Sequence, residues 1–161
     1  MPANTRLFEE YTNLLEREIL TFSEAHPNAL SQARTLYLGG GTPSILPSGC
    51  LERIFAALEN CGVRVRELDE VSMEFNPESC TGEIVETALA CGVRRFSLGL
   101  QTFSQELLDR IGRRHTVERG FEALNLLTSF TQALLVEVLI SNDVNSPLTA
   151  TSPPSLGSIS V

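Results

Sequence analysis

CLERIFAALENCGV (residues 50–63) and CTGEIVETALACGV (residues 80–93) are two copies of one pattern. The first sets Cys50 ahead of Ile54, Ala57-Leu58 and Cys61-Gly62-Val63. The second sets Cys80 ahead of Ile84, Ala88-Leu89 and Cys91-Gly92-Val93. Apolar residues at this spacing line one face of a helix. Gly62 and Gly92 fall just past the last periodic residue, where a chain leaving a helix turns left-handed and a Cβ is unfavourable. Each copy is preceded and followed by a short apolar run. The runs are Thr35–Leu38, Glu70–Phe75 and Arg95–Leu100.

The same alternation extends outward. Leu7, Tyr11, Leu14, Leu15, Ile19 and Phe22 predict an amphipathic helix over residues 5–25, stopped by His26-Pro27-Asn28. Further helices are expected over 50–60, 82–90, 104–111 and 117–128, and a last strand within 133–140. Strand and helix alternating at about 30-residue intervals is the pattern of parallel βα units. Such units build an open doubly wound sheet or a barrel, and in both the functional loops lie beyond the C-terminal strand ends. Residues 141–161 break the pattern. They hold six serines and three prolines, with Asp143 as the sole charge, and read as a disordered tail after a domain spanning 1–140.

Composition narrows the function. A net charge of −8 argues against non-specific nucleic-acid binding. No apolar run reaches membrane-spanning length. Glu9, Glu10, Glu16 and Glu18 interrupt the signal-peptide layout. The expectation is a soluble intracellular protein, cytoplasmic, with mitochondria or plastid as the alternative. Cys50, Cys61, Cys80 and Cys91 form no CxxC pair. At about 1.5 Å per helical residue, each helix-end pair is roughly 16 Å apart, too far to share a metal. Reduced, partly buried thiols are the expectation.

The polar residues of interest follow the strands. Gly39-Gly40-Gly41-Thr42-Pro43-Ser44 comes after the first and lets backbone groups approach a ligand, although a tight turn would explain it equally well. It is neither a Walker loop nor GxGxxG. Glu74 stands between Met73 and Phe75 at the end of the second strand. A carboxylate there needs a partner or a cavity. Gln101, after the third strand, offers both a donor and an acceptor. Arg113 and Arg114 lie past the next short helix, and a guanidinium suits a carboxylate. A glycine-rich edge, a carboxylate, an amide and a guanidinium on successive βα loops could hold a ligand with an amino group, a carboxylate and a ribose.

These residues resemble a known family. Gly39-Gly40-Gly41-Thr42-Pro43-Ser44, Met73-Glu74-Phe75-Asn76-Pro77, Ser97-Leu98-Gly99-Leu100-Gln101-Thr102-Phe103, Leu107-Leu108 and Gly112-Arg113-x-His115 are similar, in order and spacing, to the HemN/HemW branch of radical-SAM proteins. The resemblance covers about residues 34–120. It implies an α/β fold, a partial TIM-type barrel of about four parallel strands, binding S-adenosylmethionine. By position, Gly40, Gly41 and Thr42 would meet the methionine amino group, Glu74 and Gln101 would line the site, and Arg113 would pair with the methionine carboxylate.

The resemblance also implies a 4Fe–4S cluster on a CxxxCxxC loop ahead of residues 5–25. None of the four cysteines can be carried over to that loop. The family's aspartate is expected near residues 137–138, where Glu137 and Val138 stand. A Gly-Leu-Pro turn is expected where Ser141-Asn142-Asp143 follows. Such a barrel would have open edges and an exposed apolar interior. The implied function is that of a HemW-like heme carrier, not competent for radical catalysis on these residues alone. Alternatives are an oxygen-independent coproporphyrinogen III oxidase, a cluster-free ligand-binding module, or a non-functional split or out-of-frame product. Heme or porphyrin is the implied partner.

Overall fold

A computed structural model describes residues 3–130 and 135–140. Four strands, β1 (Thr35–Leu38), β2 (Glu70–Phe75), β3 (Arg95–Gln101) and β4 (Leu135–Ile140), form a parallel sheet in the order β1-β2-β3-β4. The helices are α1 (Ala3–Ala25), α2 (Ser48–Asn60), α3 (Gly82–Cys91), α4 (Gln105–Arg110) and α5 (Val117–Phe130). The expected parallel α/β architecture is present. The proposed tail over 141–161 lies outside the described residues.

The repeated motif behaves as its glycines require. Gly62 has φ +96° and Gly92 φ +100°, both left-handed. The Gly92 turn brings the Val93 N–H onto the Ala88 carbonyl at 2.9 Å. At the other end of α3 the Thr81 hydroxyl accepts from the Ile84 N–H, satisfying a donor that the helix leaves unpaired.

The two faces of the sheet differ. Leu36, Val71, Met73, Phe75, Phe96, Leu98 and Leu100 belong to the core, which they share with Leu51 and Phe55 of α2, Val85 and Ala88 of α3, and Ala123 and Leu127 of α5. The Phe75 and Phe96 rings meet at 5.2 Å. Side chains alternate along a strand, so the opposite face carries Tyr37, Ser72, Glu74, Arg95, Ser97, Gly99 and Gln101. That face is therefore polar across β1, β2 and β3, where an exposed apolar interior was expected. The apolar face of the sheet lies under helices instead.

Helix α1 is the expected amphipathic helix, with part of its apolar stripe uncovered among the described residues. Leu7, Tyr11 and Leu14 stay more than half exposed, while Thr12 is buried. Its attachment to α2 includes a polar clamp, in which Arg53 donates to Glu9, Asn13 and Glu16. No helix among the described residues is long and apolar enough to cross a membrane.

Candidate functional site

The C-terminal ends of β1, β2 and β3 open onto a cavity of about 170 Å³, lined by Gly41, Thr42, Glu74, Phe75, Asn76, Ser97, Gly99, Gln101 and Arg113. Parallel strands place their following loops on one edge, which is why residues 72 positions apart in sequence, Gly41 and Arg113, converge here. Gly41, Thr42, Glu74, Gln101 and Arg113 all line this cavity. Gly40 does not. It has φ +87° and turns the chain, lining instead an apolar groove of about 670 Å³ between α1 and β1.

Each polar group is held by local structure. Glu74 accepts from the Tyr37 hydroxyl across the β1–β2 pair. Tyr37 lies over Gly39, where an added Cβ would sit 2.4 Å from the ring. The first glycine of the run thus makes room for a tyrosine. Ser44, buried to 3% exposure, accepts from the Asn76 N–H at 3.2 Å and shares a 2.6 Å bond with Ser79. It pins the β2 exit loop to the β1 exit loop. Gln101 has φ +69°, a sparsely populated conformation for a residue with a Cβ. Arg113 leaves α4 through Gly112 at φ +72°, with its N–H on the Leu108 carbonyl at 2.9 Å.

Gly99, part of the Ser97–Phe103 motif but given no site role there, also lines the cavity. A Cβ there would stand 3.0 Å from Gln101 Nε2 and 3.9 Å from an Arg113 guanidinium nitrogen. The Gln101 amide therefore folds back over β3, beside the guanidinium. Asn76 and Ser97 complete the wall. The cavity thus presents a carboxylate, an amide and a guanidinium, together with backbone at Gly41.

The Radical SAM superfamily model matches residues 4–138, and the chain belongs to that family. Within it, the chain is 38% identical over 99 residues to the heme chaperone HemW of Lactococcus lactis, covering 61% of this chain and 26% of that protein. It is 31% identical over 125 residues to the heme chaperone HemW of Bacillus subtilis, covering 78% of this chain and 31% of that one. The chain thus spans about a quarter to a third of the length of these relatives. In fold it is similar to the coproporphyrinogen III oxidase HemN of Escherichia coli, with a TM-score of 0.72, 22% identity, 86% of this chain covered and 31% of the other. These likenesses make it a radical-SAM protein of the HemN/HemW type.

Proteins of this family work in general with S-adenosylmethionine and a 4Fe–4S cluster. The cavity fits the first. Glu74 and Arg113 carry the opposite charges that an α-amino acid zwitterion requires, and Gln101 offers hydrogen bonds of both kinds. Its volume is below that of a drug-sized pocket, so it suits the methionyl end of the molecule. The four cysteines of this sequence do not fit the second. Cys50 and Cys80 are buried in the core, and no set of three metal-binding side chains forms among the described residues. Burial pushes the Cys80 thiol up to about 11, which opposes the thiolate form that iron would need.

Proposed function

We propose that residues 39–113 hold S-adenosylmethionine for a HemW-like heme carrier. The observation carrying this reading is the convergence of Glu74, Gln101 and Arg113 on one cavity beside the backbone of Gly41 and Thr42. Glu74 takes the amino group and Arg113 takes the carboxylate in a charge-assisted pair. Gln101 reaches toward the ribose, and Gly41, lacking a Cβ, lets the ligand approach the main chain. When bound, S-adenosylmethionine would supply an electrophilic sulfonium, and the electron for any reductive cleavage of it would have to come from a donor other than the described residues. Carriage of heme rests on the resemblance to the two HemW chaperones.

Two measurements test the reading. Calorimetry with S-adenosylmethionine should show saturable binding that Arg113→Ala weakens. No binding by folded protein would overturn the cofactor assignment. Heme titration followed by absorption spectroscopy should show a stoichiometric shift in the protein encoded by the whole gene. Absence of that shift, together with decarboxylation of coproporphyrinogen III, would replace the carrier with the oxidase.

A further inference from the structure

His115 is buried to 3% exposure and plays no part in the site described so far. Its Nε2 lies 3.3 Å from the Leu100 carbonyl oxygen. A carbonyl only accepts, so Nε2 carries the proton in this contact. Nδ1 is buried and has no hydrogen-bond partner among the described residues. The ring is therefore anchored through one nitrogen, on one backbone atom.

That atom sits at an irregular point of the sheet. The β3–β4 register pairs Gly99 with Leu139 and Gln101 with Ile140, skipping Leu100. A skipped residue disturbs the ladder, and a buried carbonyl there can be held by donors beyond it. Two such donors reach the Leu100 carbonyl. The Thr102 N–H donates at 2.9 Å, closing a three-residue turn around Gln101, and His115 Nε2–H is the other. The turn is the one that holds Gln101 at φ +69°. A conformation of that kind persists only where its surroundings over-determine it. His115 follows Arg113 by two residues, on the loop between α4 and α5. Gly120 of α5 allows close packing over the pair, since a Cβ there would stand 2.9 Å from Leu100 Cδ2 and 4.0 Å from the His115 ring.

We propose that His115 is a positioning residue. Through the Leu100 carbonyl it fastens the Arg113 loop to the strained Gln101 turn, and so sets the spacing of amide and guanidinium at the cavity. This rests on the reading of the cavity as an S-adenosylmethionine site. The test compares His115→Phe, which fills the space without a donor, with His115→Gln, which keeps one. Three readouts are taken: calorimetric S-adenosylmethionine affinity, hydrogen exchange of the Thr102 amide, and thermal unfolding.

Loss of one hydrogen bond and the order it imposes should weaken binding by about tenfold in H115F. Thr102 exchange should quicken by a similar factor, and H115Q should restore both to within about threefold. In a Gln101→Asn background, where the side chain tolerates positive φ, H115F should cost less affinity than in the native sequence. Unchanged affinity and exchange in H115F, or equal losses in H115F and H115Q, would overturn the proposal. If H115F does not fold, His115→Asn, whose shorter amide stops short of the carbonyl, takes its place. Absence of binding by the native protein would sink the site reading, and Thr102 exchange would still decide whether His115 holds the turn.

Discussion

Tyr37 and Glu74 stand on adjacent parallel strands, and the tyrosine hydroxyl donates to Glu74 Oε1. In the β1–β2 register Tyr37 faces Ser72, so Glu74 is its diagonal neighbour on the same polar face. Diagonal pairs on a sheet lie within reach of a long side chain. The carboxylate is thereby aimed before any ligand arrives. Glu74→Gln should weaken S-adenosylmethionine binding by about tenfold or more, the usual scale for a lost charge-assisted contact. Tyr37→Phe, which keeps the charge and loses only the aim, should cost roughly threefold. Calorimetry on the two variants checks the order.

Gly99 lies under the Gln101 amide, with 3.0 Å from a would-be Cβ to Nε2. Gly99→Ala should push the amide off β3 and weaken binding about threefold to tenfold, with stability changed by roughly 1 kcal/mol or less. An affinity loss without a matching fall in the unfolding midpoint is the expected signature. A fall in both together would make Gly99 a packing residue only.

The two helix-ending glycines should differ in their tolerance of alanine. Both have positive φ, so each substitution costs about 1–2 kcal/mol in backbone strain. At Gly92 the new Cβ would also meet Val65 Cγ1 at 3.0 Å, whereas at Gly62 the nearest atom is Ser31 Cβ at 3.6 Å. Gly92→Ala should therefore unfold at lower denaturant than Gly62→Ala, read from equilibrium denaturation with the slope unchanged.

Cys80 gives a pH dependence. Burial holds its thiol at about 11, opposed by the nearby Arg119 guanidinium, while an unfolded cysteine ionises near its ordinary value. Below the unfolded value both states carry the proton, and the full contribution to stability is present. Above it the unfolded state loses the proton first, so stability falls as pH rises toward about 11. Cys80→Ala should flatten that alkaline slope in denaturant titrations. Alkylation of Cys80 at pH 8 should proceed only through unfolding.

Much of the fold was legible because period and punctuation agreed. Ile54, Phe55, Ile84 and Val85 repeat at helical spacing, and Gly62 and Gly92 mark where the spacing stops. Elsewhere the signal was ambiguous. Ser72 and Ser97 are small, so β2 and β3 read as mostly apolar runs, and the polar face shared by Ser72, Glu74 and Ser97 stayed hidden. The α1 stripe was read correctly as a helix, but nothing in its sequence told how little of that stripe the described residues cover. The polar residues of the cavity stood out through their strand-end positions. Gly99 stood within the β3 motif, but its role was not legible, because its importance lies in what folds over it. His115 stood in Gly112-Arg113-x-His115, and its role was hidden too, because its contact is to a backbone carbonyl beside a skipped residue. Gly40 drew attention for its lack of a side chain, yet it is Gly41 that faces the cavity.

The order β1-β2-β3-β4 bears on how the protein is made. Each strand pairs with its nearest neighbours in sequence, as in Thr35 with Glu70, Ser72 with Arg95, and Arg95 with Leu135. During synthesis from the N-terminus, every new strand emerges to find its template already laid down. The sheet can grow at one edge as the ribosome advances, with one α-helix to close between β1 and β2 and between β2 and β3, and two between β3 and β4. Because the described lining of the cavity comes from β1, β2 and β3 and from the loop carrying Arg113, those residues are all translated before β4.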